Sequence, residues 1–309
     1  MSVRRLGQWI IAASAGAYLS PAASAWDPAG HMLVGQIAWE LTSPSARERV
    51  QALVGTLEST YNEGQPYNFV TAGCWMDDMR SKPGYAWGKW HYVTIPWTAD
   101  GVAFQLPSPP HIVSALDEAL QALKTPGVSS QKVAEAVAII IHLVGDIHQP
   151  MHATDRGDRG GNGVLVAGVP FTDLWKGTVP NLHAFWDAAF RFDAGLDEKV
   201  TQVWLAPLLS KRPNLPGEGI IATEATKIVA EYPKETLSEL SAVQGSESWA
   251  RESHIIGCLE AYPTGSEASD HTATAIAPDF AQKARRTATK RVAIAGYRLA
   301  TLLNQLFAE

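Results

Sequence analysis

Hydrophobic residues recur at helical spacing along most of the chain. Between Trp26 and Leu57 the apolar positions repeat every three or four residues, and the same pattern returns at 111–124 and 129–147, separated by a Pro126-Gly127 turn. On the same basis we expect helices at residues 69–80, 198–209, 219–231, 244–261 and 281–307. The pattern predicts an all-α protein.

Extended segments are few. Residues 90–96 form a short run of aromatic and β-branched residues, while 164–166 and 169–171 flank Gly168 and predict a minor β-hairpin. Residues 264–278 are expected to form a loop. The sequence contains no internal repeat, so residues 26–309 are predicted to form a single, mainly helical domain.

The first 25 residues have the organisation of a signal peptide. Arg4 and Arg5 precede an apolar segment at 9–19, and Ala23-Ser24-Ala25 offers the small residues of a cleavage site. We therefore expect cleavage after Ala25, a mature chain that begins at Trp26, and a secreted or periplasmic location. The apolar segment is too short for a membrane anchor, so none is expected after cleavage.

The charge of the chain limits its ligands. The formal net charge is −6 for all 309 residues. Without Arg4 and Arg5 it is −8, because 23 basic residues face 31 acidic ones. A broad basic surface for nucleic acid is excluded, and any affinity for phosphate must come from a local site.

The chain has two cysteines, Cys74 and Cys258. In an exported protein one disulfide between them is the natural expectation. The alternative is that both are buried free thiols.

The strongest chemical signal is the stretch from His142 to His152. His142 and Asp146 are four residues apart, so they share one face of an otherwise apolar helix, and Pro150 ends that helix before His152. Burying an imidazole and a carboxylate together is costly unless a cation compensates them. His183 and Asp187 repeat the same spacing among apolar residues.

Further candidates are the early histidine His31, Asp77 after an aromatic segment, and His91 in the extended run. With the two pairs and His152 they make eight nitrogen and oxygen ligands, a set that suits Zn²⁺. Together with the amine and carbonyl of Trp26, this is enough for about three ions. Clustered ions of this kind suit phosphoryl displacement.

With these motifs the chain resembles the S1/P1 nucleases, secreted zinc-dependent nucleases with the phospholipase C/P1 nuclease type of helical fold. The resemblance covers essentially all of the mature chain. The motifs that carry it are WDPAGH at 26–31, CWMDDMR at 74–80, HY at 91–92, HLVGDIHQPMH at 142–152, GGN at 160–162 and HAFWD at 183–187.

The resemblance implies three zinc sites. The first would consist of Asp77, His91, His142 and Asp146. The second would consist of the Trp26 amine and carbonyl with His31 and Asp146, so that Asp146 bridges two ions. The third would consist of His152, His183 and Asp187.

The resemblance also implies an endonuclease that cleaves single-stranded DNA and RNA to 5′-nucleotides, with 3′-mononucleotides as further substrates and no stable protein partner. Asp77 and Asp146 would act at the catalytic ions. Arg80 would offset charge on the phosphoryl group, Asn162 would donate to it, and Tyr92 would stack on a base.

One position departs from the family pattern. The fungal members have an aspartate three residues after the histidine matched by His91, whereas this chain has Thr94, so base preference stays open. Two alternative functions also stay open. One is a zinc-dependent phospholipase C, which usually has a glutamate in place of Asp187. The other is a secreted zinc-storage protein without turnover.

Overall fold

The computed structural model describes residues 26–60, 62, 64–168, 181–191, 212–242, 245–266 and 269–307. Its helices are α1 (Pro28–Leu41), α2 (Pro44–Val54), α3 (Trp75–Asp78), α4 (Ile112–Lys124), α5 (Ser130–Asp146), α6 (Leu182–Asp187), α7 (Gly219–Glu231), α8 (Ser246–Glu260) and α9 (Pro278–Leu306). The prediction of a mainly helical domain is confirmed.

The starts of several helices follow from local sequence. Asp27 accepts hydrogen bonds from the Ala29 and Gly30 N–H groups at 3.0 and 3.1 Å, and Pro28 occupies the first turn of α1. The Ser129 side chain accepts from the Lys132 N–H at the start of α5. These caps fix where the two helices that carry His31 and His142 begin.

Helix α5 runs through the centre of the core, and every residue from Ala136 to Asp146 is buried. It packs against α4, α2 and α9, while α1 packs against α9 and α7. At the α1–α9 contact, a Cβ on Gly296 would lie 2.5 Å from a methyl of Ile37, so glycine permits this close approach. The core therefore surrounds α5, which carries two of the predicted ligands.

The segment at 69–80 is less regular than predicted. It consists of a 3₁₀ turn (Thr71–Cys74), the single turn α3, and a second 3₁₀ turn (Met79–Ser81). The extended run at 90–96 is also partly helical, because a 3₁₀ turn covers Gly88–His91.

The structure describes only the first strand of the predicted β-hairpin, and this strand pairs with a distant segment. Strand β1 (Val164–Ala167) pairs in parallel with β2 (Ser269–Ala275), within the stretch expected to be a loop. A parallel partner must arrive by a long connection, so a local turn at Gly168 does not specify this sheet. The predicted second hairpin strand at 169–171, the helix at 198–209 and the signal peptide lie outside the described residues.

The predicted disulfide is also wrong, because Cys74 and Cys258 are both buried free thiols. The Cys74 sulfur lies 3.6 Å from the Pro28 carbonyl at the start of α1. The Cys258 sulfur lies 3.5 Å from His254 Nε2, one turn earlier on α8. The two thiols thus occupy separate environments. Among the described helices, none is long and apolar enough to cross a membrane.

Candidate metal centre

Five of the predicted ligands meet in one buried cluster, which we call group A: His31, Asp77, His91, His142 and Asp146. Helix α1 supplies the first, α3 the second, the Gly88–His91 turn the third, and α5 the last two. His142 and Asp146 contact each other at 3.0 Å across one turn of α5, as their spacing predicts.

Asp146 occupies the centre of group A and is fully buried. Its Oδ1 lies 3.3 Å from His31 Nε2, while its Oδ2 lies 3.0 Å from both His91 Nδ1 and His142 Nε2. Each carboxylate oxygen therefore faces a different set of nitrogens. This is the arrangement expected of a carboxylate that bridges two ions.

The remaining ligands form a second cluster, group B, of His152, His183 and Asp187. The two imidazole Nε2 atoms are 3.2 Å apart, and His183 Nε2 lies 3.7 Å from Asp187 Oδ1. His152 comes from the 3₁₀ turn Pro150–Ala153, directly after α5, and the other two come from α6.

Backbone carbonyls orient three of these imidazoles. A carbonyl only accepts hydrogen bonds, so the Nδ1 atoms of His142, His152 and His183 must donate to Gly73, His91 and Gly160, at 2.6, 2.6 and 2.7 Å. In the neutral form of each ring, Nε2 then carries the lone pair and faces the cluster. Such hydrogen bonds commonly orient metal-ligating histidines.

Burial keeps most of these histidines neutral. It lowers the pKa of His91 to about 4, that of His152 to about 3 and that of His183 to about 4. At His142 burial also acts to lower the pKa, but the carboxylates of Asp146 and Asp77 outweigh it and raise the pKa. The two carboxylates therefore favour a positive charge on His142, within group A.

Two further observations fit a divalent cation. Asp146 Oδ1 and both ring nitrogens of His31 are buried and make no hydrogen bond within the described part of the chain. Burial also raises the pKa of Asp187 well above its usual range, which a nearby cation would reverse. Ligand atoms within 4.8 Å of one another make up each candidate set, so the residues fit the ions expected from the sequence.

Trp26 lies beside both groups. Its indole Nε1 donates to the Gly145 carbonyl on α5 at 2.9 Å, and its ring packs edge-on against Phe190. The following N–H, of Asp27, donates to the Asp187 carbonyl at 3.1 Å. Coordination by the Trp26 amine and carbonyl stays a prediction.

A cleft of about 810 Å³ opens beside the two groups, and His91, His152 and His183 line its floor. The predicted substrate residues Arg80, Tyr92 and Asn162 all line it, as does Thr94. Tyr92 is 41% exposed, so its ring is available for stacking. Arg80 Nε lies 2.8 Å from Asp77 Oδ1, which places its guanidinium beside group A.

The comparison with known proteins decides the family. The profile described as S1/P1 Nuclease matches residues 26–308. The chain belongs to the S1/P1 nuclease family. It is 24% identical over 292 residues to nuclease P1 of Penicillium citrinum, covering 91% of this chain and 97% of the relative.

Two further relatives of the S1/P1 nuclease family show similar levels of identity. Nuclease S1 of Aspergillus oryzae is 23% identical over 292 residues, or 92% of each chain. Endonuclease 1 of Arabidopsis thaliana is 29% identical over 178 residues, or 52% of each chain. Family membership places this protein among hydrolases of phosphodiester bonds.

Two contacts of this S1/P1 nuclease are not evident from the sequence. The Tyr85 hydroxyl hydrogen-bonds to His91 Nε2 at 2.5 Å, so it orients this imidazole with Nδ1 toward Asp146. The Gln149 side chain donates to Asp187 Oδ1 at 2.8 Å and accepts from the Met151 N–H. Tyr85 lies in a loop rich in glycine and aromatic residues, where no spacing marks it. Gln149 adjoins Pro150 in the family motif, but the motif alone indicates no contact.

His148, between two ligand positions, is outside the site. Its Nδ1 donates to the Val144 carbonyl at 2.7 Å, and its Nε2 accepts from Arg298 at 2.8 Å. It is fully buried in a network behind α5 and has a structural role.

Proposed function

We propose that this protein is an exported, zinc-dependent endonuclease that cleaves single-stranded DNA and RNA to 5′-nucleotides and also hydrolyses 3′-mononucleotides. Family membership supports the nuclease class. The observation that carries the finer proposal is the arrangement of groups A and B beside one cleft, with the exposed ring of Tyr92 at its surface.

Group A would hold two zinc ions through its five side chains, and group B a third. Ions held there would lower the pKa of the attacking water and stabilise charge on the phosphate oxygens. Asp146 would serve both positions in group A, since its two oxygens face different imidazoles. Asp77 faces His31 and His91 at 4.0 and 3.8 Å, and it also holds Arg80.

The side chains of the cleft would orient the substrate. Arg80 would offset negative charge as it builds on the phosphoryl group. Tyr92 would stack on a base, and stacking favours single strands, whose bases are accessible. Asn162 Nδ2 donates to the Arg159 carbonyl at 2.9 Å, and its second N–H, which has no acceptor among the described residues, would donate to a phosphate oxygen.

In the proposed reaction water adds to phosphorus and the bond from phosphorus to the 3′-oxygen breaks. The water loses a proton to solvent, and the 3′-oxygen leaves as a hydroxyl after taking one up. The products are a 5′-phosphate and a free 3′-hydroxyl.

The test is to incubate the purified protein, beginning at Trp26, with single-stranded DNA, RNA and phosphatidylcholine, each with and without a chelator. We expect chelator-sensitive release of 5′-nucleotides, restored by added zinc, and its loss in Asp77→Asn. Release of diacylglycerol alone would favour a phospholipase C. Zinc binding without any turnover would favour a storage protein.

The proposed export has its own test. If the Trp26 amine binds an ion, a chain with one extra residue before Trp26 should lose about one zinc ion and most of its activity, because an amide nitrogen is a poor ligand. Mass spectrometry of the mature protein should find Trp26 at the N-terminus. Full activity of the extended chain would exclude this role.

A further inference from the structure

Two cations line the cleft without a carboxylate partner among the described residues. Lys89 is exposed on the Gly88–His91 turn, and Arg159 is exposed on the loop that follows group B's first histidine. Arg80, the other cation of the cleft, is by contrast paired with Asp77. Two uncompensated charges beside one cleft are unexpected in a protein whose net charge is −6.

The backbone of Arg159 adds a second observation. It has a φ of 61° and is the one non-glycine residue with positive φ in the part of the chain that the structure describes. Gly157, Gly160 and Gly161 take the other positive φ values of this loop, at 82°, 61° and 81°. Glycine adopts this conformation without steric cost, whereas arginine does not. A strained position that nevertheless carries a long cationic side chain indicates that the side chain has a function.

Among the described residues that line the cleft, Asp155 is the one acidic residue, and its side chain does not neutralise these cations. Asp155 Oδ1 accepts hydrogen bonds from the N–H groups of Gly157, Asp158 and Gly160 at 2.9, 3.0 and 3.3 Å. Its carboxylate is thus used to hold the loop in shape. The loop in turn presents Arg159 to the cleft.

We propose that Lys89 and Arg159 bind the phosphates on either side of the scissile one, so that the cleft prefers a strand of several nucleotides to a substrate with one phosphate. This inference rests on the proposed function. The scissile phosphate must reach groups A and B, which are buried. Its neighbours along the strand stay near the surface, where Lys89 and Arg159 are exposed and Tyr92 offers a stacking surface between phosphates.

Binding is measured first, without turnover. The variants K89Q, R159Q and R159G, each treated with EDTA, are titrated into a fluorescently labelled single-stranded DNA decamer over a range of salt concentrations. Each lost contact should reduce the slope of log affinity against log salt concentration by about 0.7 in magnitude. At 0.1 M salt this corresponds to an affinity for the decamer that is about fivefold weaker. R159G should also unfold at the same or a higher temperature than the parent protein, because glycine relieves the strain.

The control is K124Q, which removes an exposed lysine at the end of α4, outside the cleft. It should leave the affinity and the salt slope unchanged. Salt slopes of K89Q, R159Q and R159G equal to that of the parent would overturn the inference.

Kinetics with zinc-loaded protein then separates the inference from the proposed function. With a DNA hexamer, KM should rise severalfold in K89Q and R159Q. With a dinucleoside monophosphate, which has a single phosphate, the rise should be at least threefold smaller. Equal losses on both substrates would overturn the role of flanking phosphates. If the parent protein cleaves neither substrate, the proposed nuclease function itself fails.

Discussion

Replacing Asp146 by asparagine should remove two zinc ions, whereas the matched change Asp187→Asn should remove one. Asp146 lies within 3.3 Å of three imidazole nitrogens, and its two oxygens face different ones. Asp187 lies 3.7 Å from one imidazole and accepts a hydrogen bond from Gln149. Both carboxylates are buried and both lie four residues after a histidine, so the two variants differ chiefly in how many ion positions they affect.

The size of the effect follows from the number of ligands. Sites with four ligands bind zinc with a free energy of about 10–16 kcal/mol, or roughly 3 kcal/mol per ligand. Losing one ligand should therefore lower the affinity for zinc by about 10²-fold. Asparagine keeps the shape of aspartate but removes the charge. At Asp187 this loss affects group B alone, whereas at Asp146 it affects both positions of group A at once.

The assay is the zinc content of each purified variant after dialysis at a buffered free zinc concentration, with far-UV circular dichroism as the control for folding. We expect about three ions in the parent protein, about two in Asp187→Asn and about one in Asp146→Asn. If Asp146→Asn folds and loses the same single ion as Asp187→Asn, Asp146 does not bridge.

Three further predictions concern other parts of the molecule. Tyr85→Phe removes the hydrogen bond to His91 and should lower zinc affinity about 10–100-fold in a chelator competition, while an unchanged affinity would contradict its orienting role. Burial lowers the pKa of His91 to about 4. As pH falls from 6.5 to 4, the unfolded chain takes up a proton at this histidine and the folded chain does not. This group should therefore lower the free energy of unfolding of the metal-free protein by about 3 kcal/mol. The raised pKa values of Asp187 and His142 act in the opposite sense, but they are two groups against five buried histidines whose pKa is lowered. Urea unfolding at pH 7 and 4.5 measures the balance, and equal stability would refute the prediction. Cys74 and Cys258 should both react with a thiol reagent in denaturant, and dithiothreitol should leave Tm unchanged; a disulfide between them in the native protein would contradict the structure.

Helices whose ends are marked in the sequence were predictable. The Pro126-Gly127 turn and the capping Ser129 placed α4 and α5 to within one or two residues, because both signals act locally. The pairing of β1 was not predictable, since its parallel partner β2 lies about a hundred residues later. Residues 69–80 carry a helical pattern, but three short turns replace the single helix there.

The ligand side chains could be predicted because histidine and aspartate recur at i, i+4 in apolar surroundings, where few other roles explain them. Their orientation could not. Three imidazoles are oriented by backbone carbonyls, those of Gly73, His91 and Gly160. Every residue has a backbone carbonyl, so the residue type does not indicate these contacts. The disulfide failed for a related reason, because two cysteines indicate a possible bond and say nothing about the distance between them.

The break after α5 explains how one segment serves both metal groups. Asp146 ends the helix inside group A, and Pro150 then begins a 3₁₀ turn that carries His152 into group B. Were the helix to continue, His152 would lie six residues beyond Asp146 and point to another side, since residues share a face at spacings of three, four and seven. The Gln149 side chain links this turn to group B, because its amide oxygen accepts from the Met151 N–H and its NH₂ group donates to Asp187. The chain between residues 146 and 152 therefore places the first histidine of group B relative to group A.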